Sequence, residues 1–247
     1  MGKLVAETAA ALLIGNELLS GKIHEANLVE LARTLRALGI ALRRVVIIPD
    51  DAALIAQEVS ALMSSHDLVF TSGGVGPTHD DVTIEGVARA FGVGVELDES
   101  MAEMLRKAYG DRCTEGHLRM ALVPEGATPR TTPDERWPLV VKGNVWILPG
   151  VPEIFRSKLV LVREHLTGPS PFSSKAAFTA LDEGTLKPFI DRVVTLHPHV
   201  EVGSYPKWFD ASYKTKVTFD ARDAAAVARA LEEFVALLPA GALVRVE

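Results

Sequence analysis

The sequence predicts an α/β protein in which a doubly wound, mostly parallel sheet is followed by a small α+β domain of the ferredoxin-like βαββαβ type. Over the first two thirds of the chain, short apolar runs alternate with amphipathic helical patterns. Strands separated by such helices need crossover connections, which give a parallel sheet covered on both faces. A stretch rich in Pro and Gly at 167–171 then precedes a second pattern of strands and helices. We therefore expect domains at 1–167 and 172–247.

The first domain is predicted from three strand-and-helix pairs in succession. Each strand is a short apolar run, and each helix shows apolar residues three or four positions apart. The expected elements are strand 5–14, a helix through 28–38, strand 45–48, a helix through 55–62, strand 67–70 and a helix through 84–91. Gly39 occupies a typical C-cap position, and Asp50 and Asp51 are both placed to cap the second helix.

The remaining elements follow a less regular pattern. In the rest of the first domain, we expect a helix at 98–110, a loop at 125–136, strands at 137–141 and 145–148 joined by a tight turn at Gly143-Asn144, and a helix at 152–166. In the second domain, we expect strand 173–181, helix 184–197, strands 200–205 and 212–220, helix 223–238 and strand 242–246. This order matches a split βαβ unit.

Composition limits the classes of function. The 247 residues carry 26 Lys plus Arg against 32 Asp plus Glu, a net charge of −6, which argues against a general nucleic-acid binder. The single cysteine, Cys113, excludes a disulfide within the chain and argues against a Cys-based zinc site. It also favours a reducing compartment, so we expect a cytoplasmic protein. We see neither a leader peptide nor an apolar run long enough to cross a membrane.

The segment from Thr71 to Asp81 carries the strongest functional signal. It follows a predicted parallel strand, and ligands of doubly wound folds lie beyond the carboxyl ends of the strands. Glycines there let the backbone approach a phosphate, although they are also what a tight turn requires. Its spacing fits neither a Walker P-loop nor a dinucleotide fingerprint. The candidate phosphate-binding residues of this loop are Ser72, Gly73, Gly74, Gly76 and Thr78.

Carboxylates accompany the glycine loop. Asp80 and Asp81 would repel a bound phosphate unless a cation lay between them, so they predict a divalent metal ion such as Mg, Mn or Co. Asp50, at the end of the preceding strand, is predicted at the same edge of the sheet. We therefore expect Asp50, Asp80 and Asp81 to bind metal. The structural alternative for Asp50 and Asp81 is a helix cap.

Two further turns are predicted at this edge. One contains Gly15, Asn16 and Glu17 after the first strand, and the other contains Pro149 and Gly150 before a helix. Polar residues at adjacent strand ends are what a ligand pocket requires, although such loops often only turn the chain. We include all five as candidate ligand-binding residues. Two side chains nearby, His79 and Glu153, are weaker candidates for a ligand contact.

These motifs together resemble the molybdopterin-binding (MoaB/Mog-like) domain family. The resemblance covers about residues 5–246 and rests on G-N-E-L-L-x-G at 15–21, P-D-D at 49–51, S-G-G-V-G-P-T-x-D-D-V-T at 72–83 and L-P-G-V-P-E at 148–153. It is strongest towards the N-terminal domain of competence/damage-inducible protein A and, more closely, towards the molybdopterin-binding-like domain of eukaryotic FAD synthase. The segment G-S-Y-P-x-W at 203–208 is similar to the latter group in particular.

The resemblance implies a phosphate of a pterin or a nucleotide on the 72–78 loop, with Asp50 and Asp81 as the family's acidic residues. It also implies metal-dependent hydrolysis of a nucleotide pyrophosphate, such as FAD or ADP-ribose, with Asp81 and Asp50 as the catalytic residues. Glu17 and Glu153 are then candidates to complete the metal shell or orient water. A homo-oligomer is expected, a dimer first and a trimer second. Nothing in the chain resembles the family's amidohydrolase domain, so nicotinamide-mononucleotide deamidation is not expected.

Three functions remain open from the sequence. The first is a metal-dependent nucleotide pyrophosphatase. The second is a molybdopterin-cofactor protein, either an adenylyltransferase or a molybdenum-insertion protein. The third is a nucleotide-binding module without catalysis. The segment at 131–138, T-T-P-D-E-R-W-P, lacks the Gly-x-Ala-x-Gly pattern of the competence-protein branch, which argues against a plain molybdopterin substrate.

Overall fold

The computed structural model describes residues 2–132, 137–208 and 212–247. The chain divides into two compact units, Met1–Pro169 and Ser170–Glu247. The first is a mixed α/β unit around a mostly parallel sheet, and the second has a separate antiparallel sheet, so the predicted fold class is confirmed. Within the described part of the chain, none of the helices combines the length and apolar character needed to cross a membrane.

The first unit begins with alternating strands and helices, as predicted. Its elements are β1 Leu4–Val5, β2 Thr8–Ile14, α1 Asn16–Leu19, α2 Asn27–Ala37, β3 Ala41–Ile48, α3 Ala52–Ser65, β4 Leu68–Ser72, α4 Thr83–Ala90, β5 Val95–Leu97, α5 Glu99–Tyr109, α6 Glu115–Arg119, β6 Leu122–Pro124, β7 Thr128–Arg130, β8 Leu139–Lys142, β9 Val145–Leu148, α7 Pro152–His165 and β10 Leu166–Thr167. A short 3₁₀ turn, Gly110–Arg112, follows α5.

The central sheet brings the predicted turns to one edge. Its strand order is β3-β2-β4-β9-β8-β7. The first four strands pair in parallel, whereas β8 pairs antiparallel with both of its neighbours, β9 and β7. Ile14 lies opposite Ile48, and Ser72 lies opposite Leu148. The four parallel strands therefore end side by side, and the loops that follow them lie next to one another.

Helices cover both faces of this sheet. On one face, α2 and α7 pack through Leu35 and Phe155 against a cluster that includes Ala9 and Ala11 of β2. On the other face, α3, α4 and α5 pack against Leu12 and Ile14. Because successive side chains of β2 point to opposite faces and both faces are covered, the strand is almost wholly apolar.

Several short elements differ from the prediction. The strand expected at 5–14 is two strands, because β1 pairs with β10 while β2 belongs to the central sheet. The loop expected at 125–136 contains β7, and the strand expected at 137–141 begins at Leu139. β7 reads Thr-Pro-Arg, and a proline is tolerated there because β7 is an edge strand. The part of the predicted loop at 133–136 lies outside the described residues.

The second unit has the predicted ferredoxin-like topology. Its elements are β11 Ser173–Thr179, α8 Glu183–Leu196, β12 Glu201–Pro206, β13 Thr215–Ala221, α9 Ala224–Leu237 and β14 Leu243–Val246. The strand order is β12-β13-β11-β14, and every neighbouring pair is antiparallel. Val217 and Phe219 on one face of the sheet pack with Leu186 of α8 and Phe234 of α9 to form its core.

Candidate functional site

The glycine loop after β4 has a fixed backbone conformation that depends on glycine. Gly73 and Gly74 have φ angles of 105° and 64°, which residues other than glycine rarely adopt. A Cβ on Gly73 would lie 2.2 Å from the carbonyl oxygen of Ile14. The first residue of α4, Thr83, secures the loop by donating its hydroxyl to Gly73 O at 2.8 Å and its N–H to Gly74 O at 2.9 Å.

The same loop carries backbone donors that are available to a ligand. The N–H groups of Gly74, Val75 and Gly76 are paired with no acceptor among the described residues. All three residues line the large cavity of the first unit. Helix α4 begins only at Thr83, so the donors belong to the loop itself and not to the first turn of the helix. Successive loop N–H groups of this kind form a concave site for anions.

Asn27, which the sequence analysis did not single out, joins two of the predicted loops. Its Nδ2 donates to Ser72 Oγ at 3.1 Å and to the carbonyl oxygen of Gly150 at 2.8 Å. Only 4% of Asn27 is exposed, and it also lines the cavity. The sequence signal for Asn27 was a polar residue in the first turn of an amphipathic helix. Such residues usually cap helices, so the signal did not indicate a ligand site.

Ser72, Thr78 and Gly150 play structural parts in these loops. Ser72 donates its hydroxyl proton to Pro149 O at 3.3 Å, and a Cβ on Gly150 would lie 3.2 Å from the Cα of Gly73. Thr78 directs its hydroxyl to Asp80 and Asp81, at 2.6 Å from each carboxylate. These hydroxyl protons are therefore engaged by the protein, and the backbone amides are the available phosphate donors.

The structure distinguishes the two adjacent carboxylates at the end of β3. Asp51 caps α3 by accepting hydrogen bonds from the N–H groups of Ala53 and Leu54. Asp50 instead reaches the neighbouring loop, where its Oδ2 accepts the N–H of Asn16 at 2.8 Å. The capping alternative for Asp50 is therefore wrong, because the cap is its neighbour.

Asp50 lies in a negatively charged environment. Burial raises the pKa of its carboxyl group, and the charges of Glu17 and Asp80 raise the pKa further, whereas the bond from Asn16 lowers it. Glu17 is folded back against its own loop, since a Cβ on Gly15 would lie 2.5 Å from Glu17 Oε1. Gly15, Asn16 and Glu17 therefore place one carboxylate and one backbone donor beside Asp50. A cation would relieve the mutual repulsion of these acidic groups.

Asp81 stabilises the glycine loop and does not cap α4. Its Oδ2 accepts the N–H of Thr78 at 2.8 Å, and α4 begins after Val82 without a side-chain cap. A Cβ on Gly76 would lie 2.7 Å from this carboxylate. Asp80 is exposed, and the bond from the Thr78 hydroxyl is the main cause that lowers its pKa. The capping alternative for Asp81 is wrong as well.

The described residues contain no cluster of three or more His, Cys, Asp or Glu side chains in a geometry that could enclose a metal ion. The donor set at the strand ends fits a different kind of site. Mg²⁺ in nucleotide-binding proteins is commonly held by one or two carboxylates together with substrate phosphates and water. Asp50, Asp80 and Asp81 are the candidates for such carboxylates: the charge of Asp80 raises the pKa of Asp50, and the Thr78 hydroxyl bonds to both Asp80 and Asp81.

One large cavity of 1380 Å³ lies beside these loops. The candidate residues that line it are Glu17, Asn27, Ser72, Gly73, Gly74, Gly76, Asp81, Pro149 and Gly150. Its walls also include apolar side chains such as Met101, Tyr109 and Trp137. Other candidates are not among its lining residues: Gly15, Asn16, Asp50, Thr78, His79, Asp80 and Glu153. His79 and Glu153 are exposed, His79 with 98% of its side chain accessible. The cavity can accommodate a ligand that has both phosphates and planar rings.

Comparison with known proteins identifies the family of each unit. Residues 10–166 match the model of a family described as a probable molybdopterin binding domain, and residues 171–247 match that of the FAD synthase middle domain. A protein of Aeropyrum pernix is 36% identical over 206 residues, which cover 78% of this chain and 77% of the relative. A probable FAD synthase of Caenorhabditis elegans is 30% identical over 93% of this chain, which spans only 50% of that relative.

A solved structure supports the same assignment. The chain is similar to the protein CinA of Thermoplasma acidophilum, with a TM-score of 0.59 and 34% identity over 64% of this chain and 97% of the other. The family match covers most of the first unit, and the second unit has its own match to a domain of FAD synthase. The chain therefore belongs to the molybdopterin-binding, MoaB/Mog-like domain family, in the form that carries an FAD synthase middle domain.

Proposed function

We propose that the protein is a metal-dependent nucleotide pyrophosphatase that acts on a dinucleotide of the FAD or ADP-ribose class. The observation that carries the proposal is the position of Asp50. Its carboxylate is turned away from the helix that follows it and faces the Asn16 loop, close enough to Glu17 and Asp80 for their charges to raise its pKa. Carboxylates gathered beside free loop amides suit a phosphate together with its counterion.

In this proposal the chain's residues have separate roles. The N–H groups of Gly74, Val75 and Gly76 bind phosphate oxygens. Asp50, Asp80 and Asp81 hold the divalent ion, and Asp81 also holds the loop in place through its bond from the N–H of Thr78. A bound divalent ion supplies charge neutralisation and a water of lowered pKa. Glu17, which lines the cavity, would orient the attacking water. Water adds to one phosphorus as the bridging P–O bond breaks; the leaving phosphate keeps the bridging oxygen and takes up the proton that the water loses, giving two monophosphates.

The test is product analysis with the full chain. The protein is incubated with FAD, ADP-ribose, NAD and ATP, each with Mg²⁺, Mn²⁺ or Co²⁺, and products are identified by chromatography and mass. We expect release of two monophosphates from FAD or ADP-ribose. Asp50→Asn should lower kcat by at least about a hundredfold, since it removes a charge that acts at the reacting centre. Asp51→Asn is the matched control and should remain active, because Asn caps helices as well as Asp.

A molybdopterin-cofactor protein is the second candidate, because the family match covers residues 10–166. The same loop amides would then bind the phosphate of a pterin, and the apolar wall would receive the pterin ring. If no dinucleotide is hydrolysed with any metal, and a pterin phosphate binds in a manner that depends on the glycine loop, this function replaces the first. Tight nucleotide binding without turnover would instead indicate a binding module.

A further inference from the structure

In the described part of the second unit, both helices, α8 and α9, pack on the same face of the sheet. Val217 and Phe219 point towards α8 and α9, so their neighbours along β13 point the other way. The register places four such residues opposite one another, one on each strand. We call them the open-face row: Tyr205, Lys216, Phe178 and Arg245. Tyr205 is exposed and Lys216 is half-buried, whereas Phe178 is buried beneath its neighbours.

Cations of this row and of the adjacent Lys207 surround two aromatic rings, Phe178 in the row and Tyr213 beside it. The guanidinium of Arg245 lies 3.7 Å from the ring centre of Phe178, and the ammonium of Lys216 lies 5.5 Å from it. Tyr213 packs edge-on against Phe178 at 4.8 Å and has the ammonium of Lys207 4.9 Å from its own ring. Three positive groups are therefore concentrated around one ring pair, and each is attracted to the ring faces.

Tyr205 adds an open aromatic surface next to Lys216. A Cβ on Gly203 would lie 3.1 Å from Tyr205 Cε2 and 3.0 Å from its hydroxyl oxygen. The ring therefore lies along the strand over Gly203, where any larger residue would displace it. More than half of Tyr205 remains exposed, so the outer face of the ring is free to stack. The exposed Trp208 follows three residues later.

The positive charges of Lys216 and Arg245 favour binding of an anion. No carboxylate among the described residues forms an ion pair with Lys216, and Arg245 has Glu247 as its partner at 2.8 Å. The same face becomes acidic further along, where Asp220 lies opposite Glu201. These two rows are four residues apart, or about 13 Å. A long polyanion along the strands would meet this acidic row, whereas a compact anion would not.

We propose that this face binds a planar heteroaromatic ring that carries a phosphate, which is the chemistry of a nucleoside monophosphate or of flavin mononucleotide. The phosphate lies between Lys216 and Arg245, and the ring stacks on Tyr205. This site lies within the second unit and involves none of the residues at the strand ends of the first. The inference is independent of the pyrophosphatase proposal, although it concerns the class of product that such a reaction would release.

The experiment is titration of the full-length chain with flavin mononucleotide, riboflavin and inorganic phosphate. We expect flavin mononucleotide to bind at least about tenfold more tightly than either fragment. Lys216→Gln should weaken its binding by about tenfold, since a hydrogen bond to a charged group is lost. Tyr205→Ser should weaken binding of the flavin compounds and leave that of phosphate unchanged. Thermal unfolding of each variant establishes that the fold is retained.

Lys187→Gln is the matched control, because it removes the same charge from α8, where Lys187 pairs with Asp191. We expect its affinity to stay within about twofold of the wild type. Equal affinity in Lys216→Gln and Lys187→Gln would mean that the ligand binds elsewhere, the glycine loop included, and would overturn the proposal. A single-stranded oligonucleotide that bound more tightly than flavin mononucleotide, and depended on Lys216, would overturn the small-ligand assignment.

Discussion

Asn27 holds the glycine loop against the Pro149-Gly150 turn, and substitutions there should separate positioning from simple stability. Asn27→Ala removes both bonds that Nδ2 donates, to Ser72 and to Gly150. We expect a loss of about 1–3 kcal/mol in the free energy of unfolding, because buried acceptors lose their donor. We also expect a rise in the KM or Kd for the phosphate ligand, measured by kinetics or titration.

Asn144 provides the control for this prediction. Its Nδ2 also donates to two carbonyl oxygens, those of Met63 and His66, at 3.1 and 3.0 Å. Asn144→Ala should therefore cost a similar stability without changing ligand affinity. If both variants weaken binding equally, Asn27 contributes only through general stability and not by positioning the loops.

Asp50 should show a pH-dependent cost to stability. Its pKa is raised in the folded protein, chiefly by burial, so the folded state favours the protonated carboxyl. The stabilisation by that proton is present below the unfolded pKa, about 3.9, and is lost as pH rises through the folded pKa. Asp50→Asn keeps an acceptor for the N–H of Asn16 and removes the charge. It should raise the melting temperature at pH 7.5 in the absence of divalent ions.

This gain should diminish as the pH falls below the unfolded pKa, because wild-type Asp50 then gains its proton as well. The two pH values compared are 7.5 and about 3.5. Thermal unfolding of both proteins at the two pH values measures it, and a lower melting temperature for Asp50→Asn at pH 7.5 would contradict the account. Mg²⁺ should stabilise the wild type more than the variant, because binding to the folded state alone stabilises it.

Residue types and spacing identified the loops of the site but not the partner of each side chain. Asp50 and Asp51 follow the same strand, and either could cap α3 by sequence alone. The choice depends on the path of the neighbouring loop, which brings the N–H of Asn16 to Asp50. Asn27 was missed because its partners lie 45 and 123 positions away in the sequence.

At the scale of elements, the close packing of α3 on α4 depends on Gly86. A Cβ at this position would lie 2.4 Å from Ile55 Cγ2 and 3.2 Å from the carbonyl oxygen of Ala52. Alanine is the better helix former by about 1 kcal/mol, but overpacking costs about 1–3 kcal/mol. We therefore expect Gly86→Ala to lower the free energy of unfolding measured by chemical denaturation. An increase in that free energy would contradict this account of the packing.

Elements with long apolar periodicity were predictable, whereas very short ones were not. Helices α3 and α9 and strands β2 and β4 bury a regular set of side chains, so their patterns are clear in the sequence. β5, β6 and β7 have three residues each and exist through pairing with distant partners. The edge position of β7 also permits a proline that argues against a strand.

At the scale of the molecule, each unit has its own core and its own candidate ligand surface. The first unit gathers four strand ends, loop amides and carboxylates at one edge of a parallel sheet. The second presents a cationic and aromatic row on an antiparallel sheet. The sequence motifs predict the first surface, whereas the second follows from the register of the strands. A homo-oligomer and a cytoplasmic location remain expectations from the sequence.

The most direct test of the central claim is calorimetric titration with a methylene analogue of ADP-ribose that resists hydrolysis, with and without Mg²⁺. The account predicts that Mg²⁺ tightens binding of the analogue by at least about tenfold in the wild type and in Asp51→Asn. It predicts that Asp50→Asn removes this dependence on Mg²⁺ while the fold is retained. Equal affinity with and without Mg²⁺ in the wild type, or an unchanged dependence in Asp50→Asn, would contradict it.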